Sequence, residues 1–140
     1  MESPVNSPFN ELSYYTLGHP DTKYFIHQHI VDAYQAQIAD TNAKPISLFF
    51  SLIGLYLYIN KNYSGRQIQL AHMELAKNKK TWPPLNIPER KGEITASHVL
   101  QATPGPERDL MIKKWCISVW QAYENCHETI ALFVKKELGV

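Results

Sequence analysis

Long apolar runs, paired cysteines, glycine-rich loops and an excess of one charge are all missing from these 140 residues, and each absence removes a class of protein. The longest apolar stretch, Ile46 to Ile59, is interrupted by Ser47, Ser51 and Gly54 and falls short of the roughly 20 residues a bilayer crossing needs. No membrane span is expected. Only two cysteines occur, Cys116 and Cys126, ten positions apart in one helical pattern, which at ~1.5 Å rise per residue is too far for a mutual disulfide. With no CxxC pair and a polar opening, MESPVNSPFNEL, unlike a secretory signal, the expected compartment is a reducing cytoplasm. Fourteen basic against thirteen acidic side chains leave a net charge of +1, too little field to steer the chain onto nucleic acid. The one lysine cluster, Lys77, Lys79 and Lys80, reads as a solvated helix end.

What is present is a globular composition: 44% hydrophobic residues, with eight Tyr, five Phe and three Trp. A chain of this length can bury about 65 to 70% of its unfolded surface, enough for one core. Residues 1–20 carry three prolines and no sustained period, so an irregular arm is expected there. From Asp21 to Asp40 apolar residues recur at helical spacing, with Asp21 or Thr22 as the N-cap. Lys44-Pro45 opens a second helix, whose stripe of Ser47, Ser51 and Gly54 lets a neighbour approach closely. Ser64 caps a third, TWPPLNIPERKGE excludes helix, and Thr95 caps a short one. The last helix is expected to run unbroken from Pro106 to Leu138. The fold class is therefore all-α: a single-domain bundle of four main helices over residues 21–140, plus a short helix after the proline-rich loop.

The polar residues of FIHQHIVDAYQAQ decide where a site could lie. At about 100° per residue, His27 falls among Ile30, Val31, Tyr34 and Ile38, while His29 and Asp32 fall on the opposite side. An H-x-H-x2-D metal triad on one straight helix is thereby excluded, because its first histidine points away from the other two. The same construction puts His127 on the apolar face of the last helix, near Trp120 and Tyr123. His27, Tyr34, Gln37, Trp120, Tyr123 and His127 are thus the expected lining of a polar pocket between the first and last helices. A small ligand fits that reading, as does a divalent metal on His27 and His127, although a metal wants three or four donors. Two other readings compete with it. One is a non-catalytic interaction module whose exposed aromatics, for instance Tyr56, Tyr58 or Tyr63, build a homodimer or partner interface. The other is a metal-dependent hydrolase.

The succession of short motifs resembles a family of short bacterial helical proteins of unknown function. Its helix H-x4-D-A-Y-x2-Q matches His27, Asp32, Ala33, Tyr34 and Gln37, and its L-I-G-L core matches Leu52, Ile53, Gly54 and Leu55. Then come Pro83 and Pro84, Gly92, Ile94 and Thr95, and finally Trp115, Trp120, Ala122, Tyr123 and His127. The resemblance spans roughly residues 20 to 135 and implies no activity. The family pattern carries a histidine just before L-I-G-L, where this chain has Ser51, so a three-histidine site would lack one donor here.

Overall fold

A computed structural model describes residues 7–18 and 26–140. Seven α-helices and no strand occur among them: α1 (Ser7–Leu17), α2 (Ile26–Ile38), α3 (Pro45–Lys61), α4 (Gly65–Ala76), α5 (Ala96–Gln101), α6 (Pro106–Ala122) and α7 (His127–Leu138). None is long and apolar enough to cross a membrane. The all-α class stands, with two differences in its parts. The segment read as an irregular arm contains α1, which buries Leu12 and Thr16 one turn apart against the rest of the bundle. The proposed N-caps Asp21 and Thr22 lie outside the described residues. The last helix is not continuous: at Tyr123 the backbone leaves helical geometry (φ −93°, ψ 26°), and a single 3-10 turn, Glu124–Cys126, separates α6 from α7. That break is held from outside. Asn125 Nδ2 and the Cys126 thiol both donate to the carbonyl of Asn86 in the proline-rich segment, at 3.2 and 3.4 Å.

Local chemistry accounts for the other boundaries. Pro45 occupies the first turn of α3, where its missing N–H removes no helical bond, and Asn62 ends that helix in a left-handed conformation (φ 56°). Ser64 and Gln67 form a reciprocal capping box at α4: the Gln67 amide donates to Ser64 Oγ, and the Ser64 amide donates to Gln67 Oε1. At α5, the Thr95 amide donates to His98 Nδ1.

The core forms around two helices. α3 is buried on nearly every side, from Leu48 and Phe49 through Leu52, Ile53, Leu55 and Leu57, and each such side chain contributes roughly 2 kcal/mol on leaving water. α2 packs against α1, α3, α4 and α6. Such a helix keeps only a narrow solvent face, at Gln35 and Ile38. The aromatics are used as packing: Tyr56 is buried against Trp120, and Tyr58 and Tyr63 are partly buried on the core. These tyrosines therefore do not form the exposed patch expected for a homodimer or partner interface. Both cysteines are free and buried.

Candidate functional site

His29 and Asp32, which the helical wheel puts on the wet side of α2, are both buried, 4% and 3% exposed, because α3 and α4 cover that face. His29 stacks on Tyr58 of α3 with ring centroids 3.6 Å apart, and its backbone carbonyl accepts a long hydrogen bond from the Cys116 thiol. Asp32 lies against Gly54, where even a methyl group would overlap its carboxylate. The close approach that the Ser47, Ser51, Gly54 stripe permits is therefore an approach by a carboxyl group. Gln28 donates to Asp32 Oδ1 at 3.1 Å and accepts from Gln69 of α4 at 3.4 Å. Among the described residues, His29 Nδ1 and Asp32 Oδ2 have no hydrogen-bond partner. Burial disfavours charge on both groups: it pushes the imidazole down to about 4 and holds the carboxyl well above its ordinary range.

His27 and His127 belong to different neighbourhoods. His27 is half-buried, with Nδ1 3.0 Å from the hydroxyl of Thr16 on α1. Because that hydroxyl also lies 3.0 Å from the Ser13 carbonyl, its one proton serves the carbonyl and His27 Nδ1–H donates to the oxygen. His127 donates from Nε2 to the Trp120 carbonyl at 2.7 Å and stacks on the Trp120 ring at 3.9 Å. Tyr123 donates to the Ala36 carbonyl at 2.7 Å, tying the end of α6 to α2. Among the described residues, no group of three or more His, Cys, Asp or Glu side chains is placed to hold a metal ion.

Tyr34 and Gln37 come together at one cavity. A cleft of about 430 Å³ is bounded by Tyr34, Gln37 and Ile38 of α2, Pro8 of α1, Glu89, Lys91 and Gly92 of the proline-rich segment, and Thr95, Ala96 and Ser97 at the start of α5. Gln37 builds its wall. Its Nε2 donates to the carbonyls of Ile94 (2.7 Å) and Lys91 (3.3 Å), while Oε1 accepts from Trp115 Nε1 (2.9 Å). Three contacts on one amide pin the 91–94 segment to α2 and α6. Gly92 completes the clamp, since its positive φ of 91° and close seat against Ser118 suit a residue without Cβ. Tyr34 closes the inner end, stacked on Phe9 at 4.0 Å.

A model of the family of unknown function DUF5946 matches residues 6–124. The chain belongs to this family. The match runs from the start of α1 into the 3-10 turn, so the DUF5946 region includes every wall of the cleft and the His29–Asp32 pair, and it stops before His127. Comparison with curated proteins and with solved structures produced no match.

Sequence reasoning reached Tyr34 and Gln37 but missed Lys91, Thr95 and Ser97, which are ordinary loop and cap residues until the fold lays them over α2. It also missed the burial of His29 and Asp32. The signal for that lay in Gly54, a glycine inside an otherwise large-residue helix.

Proposed function

We propose that this DUF5946 domain binds a small polar solute in the cleft between α2 and the 89–97 segment. The observation that carries the reading is that Tyr34 and Gln37 line one cavity with Glu89, Lys91, Thr95 and Ser97. Its volume of about 430 Å³ falls within the roughly 300 to 1,000 Å³ of small-molecule sites. One cationic, one anionic and two hydroxyl side chains around an aromatic floor suit a compact zwitterion of amino-acid size. In this reading Tyr34 meets the ligand, Gln37 positions the wall, and Trp120, Tyr123 and His127 form the frame that holds α6 and α7 in place. His27 locks α1 to α2 through Thr16, so that Pro8 forms the outer rim. A metal on His27 and His127 would want further donors, and among the described residues no group of three or more His, Cys, Asp or Glu side chains is placed to supply them, which makes the ligand reading the better supported of the two.

Thermal-shift screening against a panel of zwitterionic metabolites tests this, with Ser97→Trp as the blocking variant, because Ser97 is exposed and lines the cleft. The expected result is a dose-dependent rise in Tm for the wild type that the variant abolishes. A panel without any hit, or a hit that Ser97→Trp leaves unchanged, contradicts the proposal.

A further inference from the structure

The lysine cluster and Trp82 meet at a second cavity, larger than the cleft and on a different part of the bundle. A groove of about 680 Å³ runs between the start of α3 and the end of α4, floored by Ile46, Phe50, Leu75 and Trp82 and bounded by Lys79 and Lys80. Its floor is rigid. Trp82 stacks on Phe133 at 5.0 Å and meets the edge of Phe50 at 5.5 Å, so the indole is held while its side chain stays only partly buried. Ile46 remains 42% exposed, leaving apolar surface open at the rim.

Charge decides what the groove would accept. Among the described residues that line it none is acidic, so its field is positive. Lys77 is paired with Glu74 at 2.7 Å, and Lys80 lies 3.8 Å from Glu137 and donates to the Asn78 carbonyl. No described carboxylate pairs with Lys79, which leaves one ammonium at the mouth of an apolar trough. A purely apolar ligand would leave that charge unused, and a compact polar anion would leave the aromatic floor wet. A molecule with both parts uses both.

We infer that this groove is a second binding site, for a medium-chain aliphatic carboxylate whose chain lies on Phe50 and Trp82 and whose head group meets Lys79. The chain leaves water along the floor, and the carboxylate forms a charge-assisted hydrogen bond with the ammonium group. The inference is independent of the α2 cleft, with which the groove shares no lining residue.

Titration of the full chain with decanoate below its micellar concentration, followed by tryptophan fluorescence and calorimetry, tests it, with 1-decanol as the uncharged control. Saturable one-to-one binding is expected, at least tenfold tighter for decanoate than for decanol. Lys79→Glu should weaken decanoate at least tenfold without changing Tm, since Lys79 is exposed, and Ile46→Glu should do the same from the rim. Ser97→Trp should leave decanoate affinity unchanged. The inference is overturned by equal affinity for acid and alcohol, by an unaffected Lys79→Glu variant, or by loss of binding in Ser97→Trp. It is likewise overturned by association seen only with lipid vesicles, or only as a doubling of mass.

Discussion

Replacing Asp32 by asparagine should unmask one of two opposed titrations in the core. His29 is depressed by burial from 6.5 to about 4, so between those values the unfolded chain binds a proton that the folded chain refuses, and stability falls as pH falls. Its side chain is nearly inaccessible, so solvent screening reduces little of this. The difference of about 2.5 pH units, at ~1.4 kcal/mol each, corresponds to roughly 3 kcal/mol. Asp32 acts in the opposite sense. Its folded value is raised above 3.8, so above that value the folded chain keeps a proton that the unfolded chain loses, and stability falls as pH rises towards the folded value. In the wild type the two effects oppose each other. The carboxamide of the Asp32→Asn variant still accepts the Gln28 bond through Oδ1 but no longer titrates, so the variant should lose roughly 3 kcal/mol between pH 6.5 and pH 4, about 10 °C in Tm. His27 and His72, also depressed by burial, steepen that loss in the same direction. Urea unfolding of wild type and Asp32→Asn at half-unit steps from pH 4.5 to 7.5 measures the difference curve. If that curve is flat, Asp32 does not carry a proton in the folded state and the account of the buried pair is refuted.

Gly54→Ala should destabilise the domain by about 2 to 4 kcal/mol, because its methyl meets the Asp32 carboxylate. Combined with Asp32→Ala, the loss should fall short of the sum of the two single losses by at least ~1 kcal/mol in chemical denaturation. Gln37→Leu leaves the carbonyls of Lys91 and Ile94 and the Trp115 N–H without their partner, a loss of roughly 2 to 4 kcal/mol; amide exchange at residues 91–95 should accelerate more than exchange in α3. Tyr123→Phe removes one buried bond to the Ala36 carbonyl and should lower the unfolding free energy by about 1 to 2 kcal/mol while leaving the cleft intact.

Those residues also mark how far the sequence could be read. Pro45, Ser64 and Thr95 announce their helices through local chemistry that tertiary context does not alter, and the structure has each of them where expected. Side-chain burial on α2 was not legible in the same way. A helical wheel assumes one wet face, but α2 packs against four helices, so the polar side carrying His29 and Asp32 is covered as fully as the apolar one. The break at Tyr123 depends on Asn86, nearly forty residues earlier, reaching Asn125 and Cys126. No periodicity in the final helix could report that. In α1, Phe9, Leu12 and Thr16 do stand at helical spacing, but the prolines around them obscured the pattern. Of the expected pocket, Tyr34 and Gln37 share a cavity, His27 sits with α1, and Trp120, Tyr123 and His127 close the junction of α6 and α7.

Residue-resolved mapping of amide chemical shifts during titration with a zwitterion selected by thermal shift tests the central claim most directly. The account predicts saturable shifts concentrated at Tyr34, Gln37, Lys91, Gly92, Thr95 and Ser97, absent in Ser97→Trp. Shifts centred anywhere else in the bundle, or retained in that variant, would contradict it.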